Sequence, residues 1–331
     1  MAKVVARLPG LRHVCDERVP GIRRLGAPGR FRYVRADGRK VTDAAELTRI
    51  KSLVIPPAWT NVWICSDPQG HLQATGRDAR GRKQYRYHPK FRQMRDDVKY
   101  SRLPAFAQAL RRIRRRTAAD VRKKGLPREK VLAAAVQLLE KTLIRIGNEE
   151  YARANGSVGL TTMHDRHAKI RGSEVRFEFR GKSGVAHAVE LHDPRLAKIV
   201  KACRDLPGYE LFQYVDDNGE RKTISSDDVN GYLREISGED FTAKDFRTWA
   251  GTVLAAQALA RLARYKSKSE AKRNVMDAIA CVSTRLGNTK AVCRKAYIHP
   301  AIFAAYMDGR PLPTDEAGVA AMIRKRLKKT A

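Results

Sequence analysis

Near residue 96 the apolar residues change their spacing, and that change confines the chain to folds in which a sheet and a helical body are segregated. Before it, short β-type runs alternate with turn signals. Phe31, Tyr33 and Val34 precede Ala36-Asp37-Gly38, and Val54-Ile55 runs into Pro56-Pro57. Val62-Trp63-Ile64-Cys65 precedes Asp67-Pro68-Gln69-Gly70, and residues 71–76 follow. One short helix, residues 43–51, interrupts them. After the change, residues 104–124 read as a very basic helix and Gly125-Leu126-Pro127 breaks it. Residues 128–146 present a broad apolar face through Val131, Leu132, Leu138, Leu139 and Leu143, ended by Gly147. A hairpin is expected next. Val175, Phe177 and Phe179 alternate with charged residues, Gly181-Lys182-Ser183-Gly184 turns, and Val185, His187, Val189 and Leu191 alternate back. From residue 225 the pattern is helical again. Thr242 with Asp245 resembles a capping box for a helix through Arg264, and Ser269 is placed to cap another that runs to about Arg285. The fold class is therefore α+β: a small N-terminal β-sheet domain over residues 1–95 and a larger, mainly helical domain over residues 96–331, with a β-hairpin insertion.

The charge says what kind of partner to expect. The 331 residues carry 67 Lys and Arg against 35 Asp and Glu, a net +32. Such an excess repels itself unless a polyanion absorbs it, which points to nucleic acid first and an anionic membrane second. It is uneven: residues 1–125 hold 31 cations and 10 anions, and the rest hold 36 and 25. No apolar run reaches the ~18 residues of a membrane span. Residues 1–20 have no apolar h-region, so no secretory signal is expected. The cysteines, Cys15, Cys65, Cys203, Cys281 and Cys293, form no C-x-x-C pair and have no His cluster nearby. They read as small buried hydrophobes in a reducing cytoplasm rather than as a metal site or a disulfide framework.

Several motifs carry possible chemistry. Gly181-Lys182-Ser183 lacks the earlier glycine of a phosphate-binding loop, since position 176 is Arg, and it lies in a hairpin. Gly76-Arg77-Asp78-Ala79-Arg80-Gly81-Arg82-Lys83-Gln84-Tyr85-Arg86-Tyr87-His88 interleaves cations, a Gln and two Tyr. Arg77, Arg80, Arg82 and Lys83 suit phosphates, while Gln84, Tyr85 and Tyr87 suit sugars and base edges. A solvated basic turn with buried Tyr explains the same residues. The Arg111-Arg112-Ile113-Arg114-Arg115-Arg116 run is either a phosphate-tracking face or a solvated one. Arg145 falls at a helix end, where a cation complements the dipole. Arg247 falls one turn into its helix, the disfavoured end, an anomaly that an anionic ligand removes. Tyr297, taken singly, is a packing residue.

Together these positions resemble the type IB DNA topoisomerases, in the compact poxvirus-like form found in many bacteria. Arg145-Ile146-Gly147-Asn148-Glu149-Glu150-Tyr151 with Gly159-Leu160-Thr161-Thr162 resembles the first-arginine block. Lys244-Asp245-Phe246-Arg247-Thr248-Trp249 resembles the second, and residues 290–297, ending Arg294-Lys295-Ala296-Tyr297, resemble the nucleophile block. Residues 76–87 resemble a DNA-contacting segment. The resemblance spans roughly residues 20–310. It implies the catalytic-domain type shared with tyrosine recombinases, acting on duplex DNA as a monomeric C-shaped clamp, in the cytoplasm on the nucleoid, with no membrane role. It implies that Tyr297 attacks a backbone phosphate to give a 3′-phosphotyrosine, that Arg145 and Arg247 clamp the non-bridging oxygens, and that Lys182 protonates the leaving 5′-oxygen. Asn288 stands where many members carry a His that hydrogen-bonds a non-bridging oxygen.

The residue types suit that chemistry. The transition state gathers negative charge on equatorial oxygens, and the guanidinium is a permanent, planar, phosphate-matched cation. The leaving alkoxide is strongly basic and needs a proton donor. The energy of the broken bond stays in the phosphotyrosine and no acidic cluster suggests Mg²⁺, so neither metal, ATP nor another cofactor is expected. Two other readings compete. A tyrosine recombinase usually has a His where Lys244 stands and a helical N-terminal arm. A basic DNA-packaging protein would bind without covalent trapping.

Overall fold

Ile22 on one strand and Val62 and Ile64 on another alternate with more exposed neighbours, and this period of two turns them to one face. The computed structural model, which describes residues 10–262 and 264–330, divides into two units between Lys99 and Tyr100. Residues 1–9 of the expected N-terminal domain lie outside the described residues.

The first unit holds an antiparallel sheet of β1 (Ile22–Leu25), β2 (Arg32–Val34), β3 (Thr60–Ile64), β4 (Leu72–Arg77) and β5 (Lys83–Tyr87), in the order β2-β1-β3-β4-β5. Helix α1 (Ala44–Ser52) starts on Asp43, whose carboxylate accepts the Glu46 N–H at 2.6 Å. Its Ile50 and Leu47 join Ile22, Val41, Val62, Ile64 and Ala74 in one apolar cluster. Val54-Ile55 is not a strand. Val54 takes φ +48°, and Arg24 collects the carbonyls of Ile55, Pro56, Pro57 and Trp59, two of them from prolines that have no N–H to give a ladder. Helix onset comes earlier than the spacing suggests: α2 (Pro89–Ser101) begins with a proline in its first turn, where the missing donor is harmless.

In the second unit α3 (Leu103–Asp120) buries Phe106, Leu110 and Ile113. Its arginine run is only partly free. Arg112 donates to the Ser237 carbonyl, Arg114 pairs with Glu140 and Glu316, and Arg116 pairs with Asp120, which leaves Arg111 and Arg115 exposed. Helix α4 (Arg128–Thr142) is apolar nearly all round: Val131 to Val136, Leu138 and Leu139 are all at most 2% exposed. Burial of each large apolar side chain contributes about 1.5–3 kcal/mol, against a few tenths for an exposed ion pair, so this core fixes where α4 sits. It ends at Thr142, not at Gly147, because Leu143 turns left-handed at φ +58°.

Short helix α5 (Glu149–Asn155) leads to the sheet β6 (Ala168–Arg171), β7 (Glu174–Arg180) and β8 (Ala186–His192), ordered β6-β7-β8. Val175, Phe177 and Phe179 face inward as their alternation predicts. Helix α6 (Pro194–Arg204), the pair β9 (Gln213–Val215) and β10 (Arg221–Thr223), and α7 (Ser226–Ser237) follow. Helix α8 (Ala243–Ala260) opens on the Thr242–Asp245 capping box, with Thr242 N–H and Oγ1 donating to Asp245 Oδ2 at 2.8 and 3.0 Å. It stops before Arg264, and Tyr265 bonds the Met307 carbonyl instead. Helix α9 (Lys268–Leu286) is capped by Ser267 rather than Ser269: Ser267 Oγ takes the Glu270 N–H, and Ser269 falls inside the first turn. Then come α10 (Lys290–Ala296), α11 (Pro300–Met307) and α12 (Glu316–Thr330). The last buries Val319, Ala320 and Ile323, and its Glu316 accepts from Arg114 and from the Trp249 indole. All five cysteines are free. Cys65, Cys203 and Cys293 are buried, but Cys15 is half-buried and Cys281 exposed, so burial does not account for those two. Among the described residues no helix is long and apolar enough to cross a membrane.

Candidate active site

The end of α4 sets the first arginine. Beyond Leu143 the chain runs irregularly, so Arg145 lies past the helix and not on its last turn. Residues 145–147 lie along residues 159–161, with Leu160 N–H donating to the Arg145 carbonyl at 2.8 Å and Thr161 N–H to that of Ile146 at 2.7 Å. A methyl group on Gly159 would sit 2.4 Å from the backbone of Gly147, so only glycine permits this approach. The Arg145 guanidinium then donates to Asn288 Oδ1.

Arg247 is 5% exposed, and its place one turn into α8 is explained by what it binds. Its Nη1 donates to the Leu143 carbonyl and its Nη2 to the Leu286 carbonyl at 2.6 Å, so one side chain ties the ends of α4 and α9 to α8. Its Nε is buried without a hydrogen bond. The guanidinium carbon lies 5.3 Å from the centre of the Tyr297 ring. Burial, and then the nearby Arg145, hold its pKa below the ordinary value, but a guanidinium remains charged. Its partners are neutral carbonyls and an aromatic face. A buried cation without a counter-charge is costly, and a bound anion removes that cost.

Tyr297 closes α10, which starts on Thr289. Gly251 of α8 lies beneath it, where a methyl would come within 2.7 Å of the Tyr297 carbonyl and 3.3 Å of its Cβ. Thr252 Oγ1 receives the His299 N–H at 3.1 Å, which pins the chain just past the tyrosine. Asn288 follows Gly287, the left-handed cap of α9 at φ +57°. Because arginine only donates, Asn288 must present Oδ1 to Arg145. That leaves Nδ2 buried and unmatched, with the weak Cys293 thiol as its neighbour; burial raises that thiol's pKa, and Arg247 and Asn288 partly offset the rise.

Lys182 stands in the β7–β8 turn, where Ser183 and Gly184 both take positive φ. This is a strand-to-strand turn, as the spacing that excluded a phosphate-binding loop requires. Arg145, Lys182, Arg247 and Arg285 line one cleft with His187 and Phe179, and among the described residues no carboxylate lines it. All five expected residues are thus linked: three share the cleft, Asn288 joins through Arg145, and Tyr297 through Arg247. Arg285 and His187 escaped the sequence reading. The signal for His187 is a polar residue on the inward register of β8, beside Val189 and Leu191.

The DNA-binding candidates occupy the β4–β5 hairpin of the first unit. Arg77 donates to the Gly81 carbonyl, Arg82 pairs with Asp78, Gln84 donates to Asp78, and Lys83 is held by Asp16 and Glu17 at 2.9 and 3.0 Å. Hydrogen bonding to Asp16 raises the Lys83 pKa. Tyr87 is half-buried, its pKa raised by burial, and Tyr85 stacks on it at 5.9 Å with 45% exposure. Tyr85, Arg77 and Arg80 are the most accessible members.

Known proteins match both units. Residues 88–309 match the family described as eukaryotic DNA topoisomerase I, catalytic core, and residues 30–78 match the bacterial DNA topoisomerase IB, N-terminal domain. The chain is 33% identical over 288 residues to DNA topoisomerase 1B of Acanthamoeba polyphaga mimivirus, covering 84% of this chain and 85% of that protein. It is 27% identical over 117 residues to DNA topoisomerase 1B of vaccinia virus (strain Copenhagen) and to DNA topoisomerase I of monkeypox virus, covering 35% of this chain and 37% of each.

Proposed function

Because this chain belongs to the type IB DNA topoisomerase family, we propose that its acid-free cleft cuts one strand of duplex DNA through Tyr297, lets the strand rotate, and reseals it. The chain is a type IB DNA topoisomerase, an isomerase that needs no ATP. The observation that carries the residue assignment is Arg247: a buried guanidinium held by two backbone carbonyls and seated against Tyr297, with no carboxylate partner among the described residues.

In the proposed step Tyr297 Oη gives up its proton to solvent water and attacks phosphorus, and the bond from phosphorus to the 5′-oxygen breaks. Lys182 Nζ gives a proton to that oxygen, leaving a 5′-hydroxyl and a 3′-phosphotyrosine. Arg145 and Arg247 hold the non-bridging oxygens as charge builds on them, where a preplaced donor contributes about 2.7–4 kcal/mol. Religation runs the steps backward, with Lys182 taking the proton. The buried Asn288 Nδ2 completes the clamp as a neutral donor, the part a His plays in many relatives. One chain supplies all five residues, which supports action as a monomer, and three buried free thiols suit a reducing bacterial cytoplasm, with the enzyme on the nucleoid. Arg77, Arg80, Arg82, Lys83, Gln84, Tyr85 and Tyr87 are proposed to contact DNA, led by the accessible Tyr85.

Supercoiled plasmid of either sign, incubated with the protein in EDTA without ATP, is expected to relax to a ladder of topoisomers. Intact supercoils would overturn the reading in favour of a packaging protein. Asn288→Ala removes the acceptor of Arg145 along with the free donor. A net hydrogen bond of about 1–1.5 kcal/mol corresponds to roughly tenfold slower single-turnover cleavage, with Asn288→His tolerated. Undiminished cleavage by the alanine variant would strip Asn288 of its role.

A further inference from the structure

His187 has no part in the step above, yet it lies inside the cleft. In the β7–β8 ladder it is directly opposite Phe179, and the two rings stack at 5.0 Å with 13° between their planes. Two glycines also lie against it. A methyl on Gly181, the residue before Lys182, would lie 2.8 Å from Cδ2 and Nε2. A methyl on Gly287, the residue before Asn288, would lie 2.3 Å from Cε1. The imidazole therefore fills the gap between the turn that carries Lys182 and the turn that carries Asn288, and both neighbours are residues without a side chain. Burial, then Arg145 and Arg247, depress its pKa, so at neutral pH it is an uncharged wedge among four cations.

We propose that His187 is a positioning residue for strand cleavage: its ring seats the Lys182 turn against the Gly287-Asn288 turn, and so aims the Lys182 ammonium at the leaving oxygen. The inference rests on the assignment of Lys182 as proton donor. The hairpin needs such a seat. Lys182 is exposed on a two-strand projection, and Ser183 and Gly184 both take positive φ. A donor misplaced by about 1 Å loses on the order of 10²-fold in rate.

A substrate with sulfur in place of the bridging 5′-oxygen separates aim from packing. A thiolate is a weak base and leaves without a proton, so any defect in proton delivery vanishes on it. Single-turnover cleavage of the oxygen duplex by His187→Ala is expected to be slower by on the order of 10²-fold, and cleavage of the sulfur duplex to lie within about threefold of the parent protein. Lys182→Ala should show the same pattern. Gly181→Ala, which pushes on the same ring from the turn side, should reproduce it without removing the imidazole. Combining it with His187→Ala should add nothing further, because the clash is then gone. If Lys182→Ala is restored by sulfur and His187→Ala is not, the positioning role is overturned while the proton donor stands. If sulfur fails to restore Lys182→Ala, the donor assignment falls and takes this inference with it. Parent-rate cleavage of the oxygen duplex by His187→Ala also overturns it.

Discussion

Tyr297→Phe is expected to leave supercoiled plasmid untouched and to form no detergent-stable adduct with DNA, while still binding it. The change removes one oxygen and with it the hydroxyl's hydrogen bond with Arg247, while the ring and backbone contacts survive. The phenyl ring still faces the Arg247 guanidinium, and the contacts from Gly251 reach the Tyr297 backbone and Cβ, not its hydroxyl. Thermal stability should therefore fall by no more than about 1.5 kcal/mol, the net contribution of one hydrogen bond. Affinity for duplex DNA, set by cations the variant keeps, should hold and should fall as steeply with salt as in the parent protein. The comparison is made by plasmid relaxation, by denaturing gels of trapped complexes and by a binding titration. A Phe variant that relaxes plasmid through a covalent adduct would remove Tyr297 as the nucleophile. One that fails to bind would mean the tyrosine had been holding DNA.

Arg247→Ala should do damage of two kinds, read separately. In the chemical step it removes one preplaced cation, which corresponds to about 10²–10³-fold in single-turnover cleavage. In the fold it orphans the buried carbonyls of Leu143 and Leu286, at about 1–3 kcal/mol each, so the melting temperature should drop by several degrees. Arg247→Lys separates the two poorly, because a single ammonium cannot span both carbonyls as the planar fork does. The paired variant is Arg145→Ala. Arg145 is half-buried and its guanidinium donates to Asn288, so its loss should lower the rate by a similar factor with little change in melting. An Arg247→Ala protein that cleaves within tenfold of the parent would show that the buried guanidinium serves only the fold.

The alternation of Val175, Phe177 and Phe179 and the capping pair Thr242 and Asp245 were legible in the sequence because each depends on near neighbours. The change of period near residue 96 likewise separates a sheet from a helical body, although α2 begins at Pro89. The errors lie where distant groups decide. Leu143 ends α4 early because its carbonyl is claimed by a side chain more than a hundred residues away. Val54-Ile55 looks like a strand, but Arg24 and two prolines take its surroundings out of the ladder. In the site, Arg247 drew notice by sitting at the wrong end of a helix. Its actual partners are backbone carbonyls, which carry no residue type to recognise. His187 was hidden for a similar reason, since two glycines make its seat.

The cleft lined by Arg145, Lys182, Arg247 and Arg285 without one carboxylate has a consequence for the life of the empty enzyme. Its cations repel one another, and under the proposed assignment a phosphodiester bound there would relieve that repulsion. Anything that binds the folded form alone raises its stability, and under the proposed assignment the substrate would be that stabiliser. The proposed assignment thus makes the protein most robust while engaged on DNA and least so between encounters, endurance given up for readiness.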